Sequence, residues 1–155
     1  MKEEALKEKL EARFAGVRAD VKRQQRVVAF LPLDSVSTVL MWLKDEGYHQ
    51  LTLITCVDWI EEGQFELVYH VASHADGIHV MLKARVDREN PVALSITSLY
   101  ENAQPYEREI HEFFGVDFTG NGNLTPLYLD NWDDIPPMRR DFDTLAYSER
   151  KYDYE

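Results

Sequence analysis

An α+β domain, with helices packed on one face of a mostly antiparallel sheet, is the fold class predicted by this 155-residue sequence. Three observations carry that prediction. Residues 51–60, 65–71 and 78–86 read as three successive strands, joined by short turns at 61–64 and 73–77, which is the pattern of an antiparallel meander. Helical periods stand apart from that run, at Leu6–Phe14, Val36–Leu43 and Tyr106–Phe114. The order helix–strand–helix–meander–helix therefore segregates helices from the main block of strands. Residues 1–118 form the domain, and residues 119–155 are an extended C-terminal tail with no sustained period.

Leu6, Leu10 and Phe14 recur at i+4 in a Lys/Glu-rich helix that Gly16 ends, a helix suited to a peripheral layer. Residues 17–31 read as one strand, polar up to Arg26 and apolar from Val27 to Leu31, stopped by Pro32. Asp34 or Ser35 supplies an N-cap for a second helix, whose core stripe is Val36, Val39, Leu40 and Leu43. Leu51 to Ile60 is apolar on both faces, which predicts a central strand. In the next two strands Phe65, Leu67, Tyr69 and Val71 face one way, as do Ile78, Val80, Leu82, Ala84 and Val86. His79, Lys83, Arg85 and Asp87 point to the wet face. A third helix begins near Ser98 or Pro105. Its stripe is Tyr106, Ile110, Phe113 and Phe114, with Glu107, Arg108, His111 and Glu112 on the opposite side, and Gly115 sits where a left-handed cap belongs.

Composition narrows the function. Seventeen basic against 28 acidic side chains give a formal charge of −11, which argues against nucleic acid and anionic lipid as partners. Cys56 is the only cysteine, so no internal disulfide or cysteine-ligated cluster is available. The N-terminal residues lack an apolar signal core, and no apolar run approaches the roughly 20 residues of a membrane helix. A cytoplasmic location is expected, with any membrane association indirect.

Candidate chemistry is sparse. Glu107-Arg108-Glu109 reads either as a solvated face with an Arg108–Glu112 pair at i, i+4, or as charge-assisted contacts locking the helix to the sheet or a partner. Spacing favours the former. The carboxylates have no nearby nucleophile or phosphate loop to make them catalytic. His70, His74 and His79 cluster on one hairpin. They read as wet-face histidines, with a small metal-binding protein or hydrolase as the alternative. In the tail, Leu124, Leu127, Tyr128, Leu129, Trp132, Ile135, Met138, Phe142 and Leu145 are too apolar for a segment that stays solvated. That content points to a protein interface, with Trp132, Arg139 and Arg140 as its anchor types.

Ser95-Ile96-Thr97-Ser98-Leu99-Tyr100, Ala103, Glu107-Arg108-Glu109, Glu112, Phe114-Gly115-Val116 and Phe118 resemble the signature of the thirty-kilodalton subunit family of respiratory complex I. That family also serves energy-converting membrane-bound NiFe hydrogenases. Pro137-Met138-Arg139-Arg140-Asp141-Phe142 is similar to its second block. Pro105 replaces a common Trp, and Asn121–Pro126 lacks the usual Arg pair, departures that lean toward the hydrogenase-like branch. The resemblance implies a subunit with no cofactor, packed beside the large quinone- or NiFe-site subunit and the small iron–sulfur subunit. Expected partner contacts are Glu107, Arg108, Glu109, Arg139, Arg140 and Asp141 as polar locks, and Phe113, Phe114, Trp132 and Phe142 as apolar anchors.

Overall fold

A computed structural model describes residues 2–152. Five strands form one sheet in the order β1-β2-β5-β4-β3: β1 (Arg18–Arg23), β2 (Arg26–Phe30), β3 (Gln50–Trp59), β4 (Gln64–Ser73) and β5 (Ile78–Asp87). All neighbours are antiparallel except β2 and β5. Helices α1 (Lys2–Arg13), α2 (Val36–Asp45) and α3 (Ala103–Phe114) contribute to the apolar layer on one side of it. Two short strands, β6 (Val92–Leu94) and β7 (Asp117–Thr119), pair in parallel beside α3. The α+β class and the meander of residues 50–87 are as the sequence predicts.

Four local expectations are corrected. Residues 17–31 form a hairpin, not one strand, turning at Gln24–Gln25 without glycine, asparagine or proline. Gln25 adopts φ +61°, and the buried Glu3 of α1 accepts its N–H at 2.7 Å, so a remote carboxylate supports the strained turn. Strand β3 lies at the sheet edge. Its burial alternates, with Ile54, Cys56 and Asp58 inward and Thr55, Val57 and Trp59 exposed. The strand covered on both faces is β4, where Glu66 is buried beneath Lys83 and Arg85 at 3.3 and 3.1 Å. Neither Asp34 nor Ser35 caps α2 through its side chain; a 3-10 turn at Leu33–Ser35 leads into it.

The fourth correction concerns the tail, which contains a helix, α4 (Thr144–Lys151). Asp143 caps it by accepting the Ala146 N–H at 3.0 Å. No residue between Thr119 and Tyr152 is fully buried. The apolar core lies wholly between Leu6 and Phe118.

Candidate protein-docking surface

The tail follows a fixed course over the body because α3 and the far end of β3 hold it. Helix α3 buries Ile110 and Phe114 and ends at Gly115, whose N–H reaches His111 O at 2.9 Å. Gly115 has φ +80°, and a Cβ there would stand 2.9 Å from an Arg139 guanidinium nitrogen. The backbone handedness calls for glycine at this position, and a Cβ would in addition crowd Pro136 and the Arg139 guanidinium where the tail crosses.

Glu107 lies inside the molecule, fully buried, and not on the polar side of α3. Its carboxyl accepts the Ile96 N–H, the Ser95 hydroxyl and the Asn121 amide, each at 2.8 Å. One side chain thus ties α3 to the segment after β6 and to the first turn of the tail. Its burial removes it from any outward contact. The apolar stripe misleads because the helix is enclosed on more than its greasy side, and the burial is tolerated only because three donors meet the carboxyl.

Arg108 and Glu112 do not pair with each other. Arg108 donates to the Thr125 and Pro126 carbonyls at 3.1 and 3.2 Å. Glu112 accepts three consecutive backbone N–H groups, from Leu127 at 3.1 Å, Tyr128 at 2.9 Å and Leu129 at 2.6 Å. Partial burial pushes the Glu112 carboxyl up, but these N–H bonds, with Arg108 nearby, hold it below the usual carboxylate range. Phe113 stacks on Tyr128, with ring centroids 5.6 Å apart. Glu109 is half-exposed and has no hydrogen-bond or ion-pair partner among the described residues.

A second anchor holds the Arg139-Arg140-Asp141 block. Asp58, inward on β3, receives Arg88 through both carboxylate oxygens at 2.9 and 3.1 Å and the Arg140 N–H at 2.8 Å. Desolvation raises the Asp58 pKa, yet the hydrogen bonds from Arg88 and Arg140, with the arginine charges, bring it below the ordinary value. Arg88 extends the network to Asp141 at 2.6 Å, and Arg140 meets Glu61 at 2.9 Å. Arg139 donates to Phe114 O at 2.7 Å, and its guanidinium lies over the Phe65 ring at 5.2 Å. The three residues expected to face a partner are therefore engaged by this chain's own body.

Beyond that anchor Trp132 stacks on Tyr147 at 4.6 Å and contacts Phe142 at 5.3 Å, a cluster that supports α4. Asp58, Arg88 and Glu61 are the anchoring residues that the sequence reading does not single out. A signal exists for Asp58: it shares inward parity with Ile54 and Cys56, where an acid needs a cation.

The histidine hairpin resolves into a pair. His70 Nε2 and His79 Nδ1 are 2.9 Å apart, while His74 is exposed on the turn. Among the described residues no group of three or more His, Cys, Asp or Glu is placed to hold a metal ion. Burial pushes the Cys56 thiol up to about 12. No described helix is long and apolar enough to cross a membrane.

The model of the respiratory-chain NADH dehydrogenase 30 Kd subunit matches residues 30–148, which include both anchors. The chain belongs to that family. It is 34% identical over 129 residues to a subunit of the F(420)H(2) dehydrogenase of Methanosarcina mazei, covering 81% of this chain and 80% of that one. It is 40% identical over 109 residues to the mitochondrial NADH-ubiquinone oxidoreductase 30.4 kDa subunit of Neurospora crassa, over 70% of this chain and 38% of the other. Other curated relatives are also longer, and the chain spans between 53% and 62% of their length. A solved chain of the membrane-bound sulfane sulfur reductase, an archaeal respiratory membrane complex, superposes with a TM-score of 0.86. Identity there is 35%, covering 97% of this chain and 91% of that one. This family member is thus a subunit type found in complex I-like assemblies.

Proposed function

We propose that this chain is a non-catalytic assembly subunit in the hydrophilic arm of a complex I-like membrane-bound oxidoreductase. It braces the large quinone- or NiFe-site subunit and the small iron–sulfur subunit, so that electron-carrying centres keep their spacing while transfer is coupled to ion translocation. It sits on the cytoplasmic face and reaches the membrane through those neighbours. It carries no cofactor of its own, and its tail, residues 119–155, is the docking strap.

One observation carries this reading. Among the described residues, six of the eleven exposed large hydrophobic side chains, Leu127, Tyr128, Ile135, Met138, Leu145 and Tyr152, lie on the strap, whose backbone is held by the body. A solvated strap has no need of them, whereas a preorganised strap offering them to a partner loses less conformational entropy on binding. Phe113 supports that surface through Tyr128, and Trp132 and Phe142 support it through Tyr147; Glu109, half-exposed on α3, is a further contact of the proposed interface. The test is gentle detergent extraction of membranes carrying the tagged chain. Co-migration with an iron–sulfur protein is expected, and a chain that sediments alone overturns the proposal.

A further inference from the structure

A second group of exposed apolar side chains lies on the two short strands. Strands β6 and β7 pair Val92 with Asp117, Ala93 with Phe118 and Leu94 with Thr119. Ala93 and Phe118 point into the core, so the other four side chains share the outer face. Leu94 is 55% exposed and Val92 40%, the highest values for large apolar side chains in any described strand. With Leu33, Asp34 and Thr119 they line a groove of about 390 Å³, with room for more than one side chain.

Asp34, the one charged residue lining it, is exposed at the rim without an ion-pair partner among the described residues. Asp117, on the same outer face, is already met by His111 Nδ1 at 3.2 Å, so Asp34 is the acid left for a partner. Apolar contact in such a groove gives affinity, and complementary charge at its rim selects the partner. We infer that this groove receives aliphatic side chains from another subunit of the same complex, carried on a segment with a neighbouring lysine or arginine that meets Asp34. The inference rests on the proposed assembly role and adds a contact point to it. A second copy of this chain is a poor occupant, because its own surface is strongly acidic, with a formal charge of −11.

The experiment places a photo-cross-linking benzoylphenylalanine at Leu94 in the tagged full chain, within its native membranes. The expected adduct is a peptide of another subunit bearing an aliphatic residue beside Lys or Arg. In parallel, Leu94→Asp is expected to lower recovery of the complex about tenfold while Leu94→Met retains it. Asp34→Lys is expected to lower recovery severalfold at low salt, with a smaller deficit at high salt. Purified Leu94→Asp chain should melt with the parent, because the side chain is exposed. An adduct to this chain itself, to an acidic peptide or to lipid alone overturns the inference. So does full recovery of the Leu94→Asp complex. If the parent assembles but Leu94 gives no adduct, the groove reading falls and the assembly role stands; if the parent joins no complex, both fall.

Discussion

The body and the strap are held by different forces. The body, up to Phe118, encloses one contiguous apolar core in which Val27, Leu40, Leu67, Leu82 and Ile96 are fully buried. The strap buries nothing fully, and its course is set by carboxylates and arginines rooted in the body. Burying apolar area stabilises regardless of direction, but hydrogen bonds are directional and contribute only about 1 kcal/mol each. The body is therefore expected to melt as a unit, with the strap steered closely in space yet held weakly. Substitutions should sort into those that unfold everything and those that only free the strap.

The largest effect is expected at the junction. Asp58→Ala leaves Arg88 without its buried partner and frees Arg140, and should cost about 3–5 kcal/mol in urea unfolding. A smaller loss confined to the strap would show that the two regions do not share this pair. Glu107→Ala removes the shared acceptor of three donors, leaves the buried Ile96 N–H without a partner, and should cost about 3 kcal/mol, with a matching fall in melting temperature. The double variant Arg139→Ala, Arg140→Ala should leave the body folded, release the strap to protease, and reduce complex recovery. Unchanged protease cutting would dissolve the proposed distinction.

Glu112→Ala should act on the strap alone, lowering hydrogen-exchange protection at Leu127–Leu129 by about tenfold without altering global unfolding. Acid should imitate it. Asp58 and Glu112 are both held below ordinary carboxylate values when folded, so their contribution is complete above roughly pH 4 and is lost as pH falls through the folded values. Protection in the strap should fall before the body unfolds, and simultaneous loss would merge the two regions. At the bottom of the scale, Arg150→Ala breaks exposed ion pairs with Asp133 and Asp134 and lifts a guanidinium from the Tyr147 ring, contacts outside the core, and no change in the melting temperature of the body is expected.

The division also explains what is legible in the sequence. Periodic burial writes itself into a chain, so the meander, the core stripes of α2 and α3 and the Gly115 cap are readable. Two adjacent strands joined without a turn residue are not, because Gln24–Gln25 depends on Glu3 from another element. Strand β3 reads as central, though it lies at the edge, because Val57 and Trp59 are apolar on a face that no helix covers. The strap anchors involve partners as far apart as Asp58 and Arg140, and no local period announces such a pairing. The Arg139–Asp141 block stands out by its charge, but its direction does not, since composition cannot say whether an arginine looks inward or outward.

Glu112 grips main-chain N–H groups rather than side chains. Leu127 and Leu129 can consequently be exchanged for other non-proline residues while the ribbon keeps its path, whereas Tyr128 is also held by its stacking on Phe113. If the strap docks as proposed, such an attachment would leave Leu127 and Leu129 open to revision without redesign of the scaffold beneath them, and one framework of this kind could meet differing neighbours.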